Sequence, residues 1–240
     1  MESHLLQKIT QSMLKRIFRS DDGKTHIPLL RERCKILHAV GKVLVEKYKG
    51  TFVECVKSCN YNSDKLRKLL FDEFEPYRDE AIYESKKVRL FTKANSLVSD
   101  IWACYRKTNL FQLNIHNIMS TIFIDYRSPI VLHHLRILDY SNRLLNKFKD
   151  SDEPLKHRSR EELEIRGCSL HAVNLLYYFL IQKKVPPQNP RCFLFIALTP
   201  ELMQGCKILI DNYLYKLLAD KIDTGCINDE PFHYITSTHY

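Results

Sequence analysis

Ser159-Arg160-Glu161-Glu162-Leu163-Glu164-Ile165-Arg166-Gly167-Cys168-Ser169-Leu170 opens the pattern that decides the fold class. Ser159 and Glu162 stand at capping-box spacing, in which each side chain takes up a free backbone N–H at a helix start. Apolar residues then recur at helical steps, and by 175–181 they occupy nearly every side of the helix. Pro186, Pro187 and Pro190 end the run, because proline lacks the N–H that a helix needs. Glu164 and Arg166 lie two apart and point to different sides, so each is expected to pair with another element as scaffold. Gly167 suits a close helix crossing.

The same period runs outward from this segment. Leu6, Ile9, Met13 and Ile17 recur at three- and four-residue steps until Ser20-Asp21-Asp22-Gly23 breaks them. A second run carries Leu30, Cys34, Leu37, Gly41 and Leu44 and stops near Gly50. Thr51 with Glu54, and Asn62-Ser63-Asp64, mark two further helix starts. Val88, Phe91, Asn95, Val98 and Trp102 predict a helix over 88–105. Ser128-Pro129 reads as an N-cap followed by proline at the first helical position. Thr199-Pro200 opens a last helix reaching about residue 221. No internal repeat or low-complexity tract interrupts the series. The expected fold class is all-α, as one helical domain over 1–240.

Composition removes several function classes. The six glycines are too far apart to write a G-x-G-x-x-G turn or a phosphate-binding P-loop. The eight cysteines form no C-x-x-C pair, and most sit among apolar residues as small buried thiols. His133 and His134 are adjacent and diverge on a helix, while His171 and His233 stand alone, so no metal or cofactor is expected. No signal peptide is expected at the start, and no apolar run is long enough to span a bilayer. A reducing, intracellular setting follows, cytoplasmic with the nucleus open as well. The net charge of +9 favours an anionic partner, but the basic residues are dispersed over the chain. A basic module for tRNA or DNA rests on that charge alone.

Asp125 is the most suggestive residue for chemistry. It follows Ile122-Phe123-Ile124 and precedes Tyr126-Arg127-Ser128, which places an acid between an apolar run and a helix start. A carboxylate there can stabilise a developing positive charge or take a proton from an attacking water. Cleavage of a bond between ribose and a nucleobase passes through an oxocarbenium-like state and calls for such a group. The spacing is equally met by an Asp125–Arg127 pair that fixes the loop before Pro129. Asp211, on an otherwise apolar helix, either accepts hydrogen bonds from a ligand or caps a neighbouring group.

Phe123-Ile124-Asp125-Tyr126-Arg127-Ser128-Pro129, with Leu138-Asp139-Tyr140-Ser141 after it, resembles the F-A-D-Y-R-x-P … L-x-Y-S segment of the queuosine-salvage family. Glu164-Ile165-Arg166 with Ser169 is similar to that family's E-I-R-x-x-S stretch. Pro28-Leu29-Leu30 with Glu32-Arg33, Phe74-Glu75-Pro76-Tyr77-Arg78-Asp79, Asp211-Asn212-Tyr213-Leu214-Tyr215 and Pro231-Phe232-His233 extend the likeness over nearly the whole chain. The resemblance implies a helical fold akin to DNA glycosylases and hydrolysis of queuosine 5′-phosphate to release queuine for tRNA modification. It implies Asp125 as the catalytic carboxylate and Phe123 as the residue stacking on the deazaguanine. Asp211, Arg127 and Tyr215 join them on the ligand. The partner implied is a small nucleotide, with no direct contact to tRNA and no membrane.

Four departures qualify the pattern. The chain is expected to start after the aromatic N-terminal motif of its relatives. The family's K-R-A-Q reads Thr92-Lys93-Ala94-Asn95 here, and Lys93 lies about 100° round the helix from Thr92, so it is not expected to stand in for the lost lysine. Lys216 replaces a second acid after the D-Y-Y-L-W pattern, and 191–205 reads as an insertion. A non-catalytic relative or fragment that binds a nucleotide or a protein partner is the competing expectation.

Overall fold

A computed structural model describes residues 3–105, 113, 125–150, 154–183, 214–217, 219–220, 235 and 237. Helices dominate it, as the sequence period requires. In chain order they are α1 (Ser3–Lys8), α2 (Gln11–Ile17), α3 (Leu30–Lys47), α4 (Phe52–Ser58), α5 (Ser63–Glu73), a 3-10 turn (Glu75–Tyr77), α6 (Thr92–Tyr105), α7 (Arg127–His134), α8 (Asn142–Asp150) and α9 (Arg160–Lys183). A two-stranded antiparallel ribbon, β1 (Glu80–Tyr83) and β2 (Lys86–Arg89), precedes α6. The fold class is all-α.

Local chemistry sets the helix ends. Asn62 caps α5 by accepting from the Lys65 N–H at 2.9 Å, and Thr10 caps α2 through the Met13 N–H at 3.2 Å. At α9, Ser159 Oγ accepts from the Glu162 N–H at 3.3 Å, while the Glu162 carboxylate takes the Arg158 N–H at 3.1 Å. The Ser159 start is therefore borne out, with the reciprocal bond displaced by one residue. Thr51 precedes α4 but makes no side-chain cap, and Glu54 pairs with Lys57 instead.

Apolar faces gather into two cores. Leu44, Cys55, Leu66, Leu70, Phe74, Ala94 and Val98 join α3, α4, α5 and α6. Val131, Leu132, Ile165, Val173 and Leu214 join α7, α9 and the helical residues 214–217. Each fully buried leucine contributes roughly 1.5–3 kcal/mol to such a core. Of the five described cysteines, Cys34, Cys55 and Cys59 are buried, while Cys104 and Cys168 are exposed. Burial, then the neighbouring Cys59, pushes the Cys55 thiol up to about 12. Between the cores runs a buried polar seam. Arg166 Nη1 donates to Glu162 at 3.1 Å, and Nη2 pairs with Asp79 and donates to Thr92 Oγ1 at 2.6 Å. Arg166 is 1% exposed and Glu162 is 0% exposed, so this scaffold role is as the sequence suggested. Glu164 likewise takes the Tyr83 hydroxyl and the Arg160 guanidinium, both at 2.8 Å.

Three expectations need correction. The helix expected from residue 88 begins at Thr92, because 80–89 pairs as a hairpin. Glu84 and Ser85 at its turn both have positive φ, 45° and 64°, the geometry that lets a two-residue turn follow the strand twist. Gly167 is exposed, and among the described residues nothing lies within 4 Å of where a Cβ would stand and no close crossing is made there. That role falls to Gly41, where a Cβ would lie 2.9 Å from Leu6 Cβ and 3.0 Å from the Ser3 carbonyl as α1 crosses α3. Finally, α7 starts at Arg127 and Ser128 is not its cap. The Asp125 carboxylate serves there instead. The expected 191–205 insertion lies outside the described residues.

Candidate active site

Asp125 stands immediately before α7, where backbone N–H groups have no partners inside the helix. Its Oδ1 accepts from the N–H groups of Arg127 at 2.8 Å and Ser128 at 3.4 Å. Its Oδ2 pairs with the Arg127 guanidinium through Nε and Nη2. Two residues of sequence separation thus supply backbone and side-chain donors to one carboxylate. The helix N-terminal field adds to them.

Arg127 is itself fixed from both sides. Its guanidinium carbon lies 4.3 Å from the centre of the Tyr215 ring and 5.4 Å from that of Tyr126. Leu214, 1% exposed in the second core, anchors the helical segment that carries Tyr215. Burial works against the Arg127 charge, but the hydrogen bond and charge of Asp125 more than offset it, and its pKa is raised. The guanidinium stays charged through any accessible pH.

Asp125 and Arg127 border a cleft of about 360 Å³ whose facing wall is α6. Lys93, Ser96, Leu97 and Asp100 line that wall, one helical face at i, i+3, i+4 and i+7. Tyr77 from the 3-10 turn closes part of the rim, and burial pushes its hydroxyl up. Thr92 borders the cleft but is 5% exposed, and its hydroxyl is held by Arg166. The Thr92 N–H donates to Asp79 at 3.3 Å, so Asp79 caps α6 and pairs with Arg166 at once.

Lys93 departs from expectation. The rotation of about 100° from Thr92 does not carry it away from the cleft, because the cleft is centred on the 93/96/97/100 face. Burial, and secondarily Arg33, depresses its pKa, with Asp79 acting the other way. Asp100, more solvent-exposed, has its carboxyl pushed up by partial burial. Sequence reasoning missed Lys93, Ser96 and Asp100 as cleft residues. Their i, i+3, i+7 spacing was the available signal.

Of the residues expected at the site, Asp125 and Arg127 meet at the cleft and Tyr215 packs against Arg127. Phe123 and Asp211 lie outside the described residues. Lys216, next to Tyr215, is exposed. Among the described residues there is no cluster of three side chains able to hold a metal ion, and no helix long and apolar enough to cross a membrane.

The profile of the family described as queuosine salvage protein matches residues 1–240. The chain belongs to the queuosine salvage protein family. Among its relatives, a mouse protein is 38% identical over 170 residues, covering 70% of this chain and 49% of the relative. A Bos taurus protein is 34% identical over 236 residues, covering 97% of this chain and 64% of the relative. A Sphaerobacter thermophilus protein is 33% identical over 175 residues, covering 73% and 53%. All three are named queuosine 5′-phosphate N-glycosylase/hydrolase. This queuosine salvage chain therefore spans about half to just under two thirds of the length of these relatives.

Proposed function

We propose that this chain hydrolyses the N-glycosidic bond of queuosine 5′-phosphate, releasing queuine for tRNA modification, with Asp125 as the catalytic carboxylate. The observation that carries the reading is the Asp125 carboxylate on the cleft, held by two backbone N–H groups and one guanidinium. The names of its relatives supply the substrate class.

In the reaction, the bond from the ribose anomeric carbon to the base nitrogen breaks and positive charge builds on the sugar. Asp125 offsets that charge and takes the proton of the attacking water. The water oxygen ends on the anomeric carbon, and the base nitrogen gains a proton, giving queuine and ribose 5-phosphate. Arg127 acts as a positioning residue, since its donors and the Tyr215 platform fix where the carboxylate can point. The family pattern adds Phe123 stacking on the deazaguanine and Asp211 hydrogen-bonding the ligand. On this reading 1–240 works as one domain, in the cytoplasm, on a free nucleotide and without a cofactor or direct tRNA contact.

Incubating the purified chain with queuosine 5′-phosphate and following free queuine by mass spectrometry tests the proposal. Queuine released in proportion to enzyme supports it, and no release at any enzyme concentration overturns it. A second reading, nucleotide binding without turnover, draws on Thr92, whose hydroxyl accepts from Arg166 at the position where the K-R-A-Q pattern of the family resemblance has lysine. Tight ligand binding with no queuine released would favour that one.

A further inference from the structure

Lys93 and Asp100 stand seven residues apart on α6, both lining the cleft that Asp125 faces. Seven residues of helix span about 10 Å, two turns along one face. Among the described residues neither side chain makes a hydrogen bond or an ion pair, although every other charged group at the cleft is engaged. Between them lie the Ser96 hydroxyl and the apolar Leu97. Among the described residues the wall thus runs from an unengaged cation, through a small polar and an apolar surface, to an unengaged anion.

Such a wall suits a ligand of matching polarity. Queuosine 5′-phosphate has a phosphate at one end of the nucleotide and, on the base, a secondary amine that is protonated at neutral pH. Resting on the functional reading above, we propose that Lys93 binds the 5′-phosphate and Asp100 the base's ammonium, so that α6 orients the nucleotide across Asp125. Arg127 has its Nε and Nη2 engaged by Asp125, so of the two cations lining the cleft Lys93 is the one without a side-chain partner among the described residues. Thr92 is buried, and its hydroxyl oxygen already accepts from Arg166. Arg33 adds positive potential near Lys93, and Asp79 is neutralised locally by Arg166. Burial disfavours charge on Lys93 and, more weakly, on Asp100, and a counter-charge on the ligand offsets this at each.

The two ends separate experimentally by probe. Guanosine 5′-monophosphate has the phosphate without the ammonium, and queuine has the ammonium without the phosphate. Calorimetric titration of the full chain should give Lys93→Met at least about tenfold weaker binding of guanosine 5′-monophosphate with queuine unchanged. Asp100→Asn should do the reverse, and Lys93→Arg and Asp100→Glu should recover most of each loss. Queuosine 5′-phosphate should respond to both. Equal losses for all three ligands, a crossed pattern, or no binding of either probe by the parent would overturn the assignment. Thermal melts of each variant verify that the fold is kept. A parent that hydrolyses queuosine 5′-phosphate with KM unmoved by either substitution refutes the cradle and leaves hydrolysis standing. Ligand-selective losses in a chain without turnover do the opposite.

Discussion

The Arg127 guanidinium lies between the Asp125 carboxylate, which it pairs through Nε and Nη2, and the Tyr215 ring, whose centre is 4.3 Å from its central carbon. The acid is therefore oriented by a group that is itself held against the second core. Replacing Arg127 by lysine keeps a charge and loses the planar fork. Charge-assisted hydrogen bonds of this type contribute about 1.5–3 kcal/mol, so Arg127→Lys should lower kcat by about 10- to 100-fold with a smaller change in KM. Tyr215→Phe should match the parent, while Tyr215→Leu should lose part of the same effect. Steady-state kinetics of the three variants verify this. A change in KM alone would mean that Arg127 contacts the ligand directly.

Arg166 carries the seam between the cores. Arg166→Met would leave Asp79 and Glu162 buried without their cation, a loss of about 3–5 kcal/mol for groups so placed. Urea denaturation should show a markedly lower midpoint. Arg160→Ala, which removes an exposed pair with Glu164, should leave the midpoint nearly where it was. Similar shifts for both would show that the seam does not hold the fold.

Stability should fall on mild acidification. Burial depresses the His157 pKa below its ordinary 6.5, so the unfolded chain binds the proton more readily than the folded one. Unfolding then gains protons as pH drops through about 6.5, and the melting temperature falls with it. His157→Gln should flatten the curve between roughly pH 7 and 5.5. An unchanged slope in that variant would assign the loss to other groups.

The two glycines should answer oppositely to alanine. Gly41→Ala forces a Cβ against Leu6 Cβ and the Ser3 carbonyl, and overpacking of this kind costs about 1–3 kcal/mol. Gly167→Ala meets nothing among the described residues and stiffens the unfolded chain, which should stabilise by roughly 0.4–1 kcal/mol. Thermal melts of the pair decide it. Destabilisation at Gly167 would mean that another surface comes close to α9.

Much of this was legible in sequence, for definite reasons. Helical period and capping residues placed α5 and α9 because those signals are local. The hairpin at 80–89 was hidden because its strands are four residues long, rich in Lys86, Lys87 and Arg89, and without alternating burial. Its Glu84-Ser85 turn also lacks the glycine or asparagine that usually marks positive φ. Asp125 was visible as an unusual acid, and the family motifs singled it out. Its action as the cap of α7 was not, because Ser128-Pro129 offers the commoner signal. The spacing of Lys93 and Asp100 puts them on one face of α6, but the cleft is what shows that this face matters.

The most direct measurement is single-turnover release of queuine from queuosine 5′-phosphate by the parent chain and by Asp125→Asn, alongside calorimetric binding of queuine to both. The substitution keeps the size of the side chain and removes its charge. Loss of the group that stabilises the sugar cation should slow release by about 100-fold or more. Queuine affinity should change by less than about tenfold. Release by Asp125→Asn at the parent's rate would contradict Asp125 as the catalytic carboxylate.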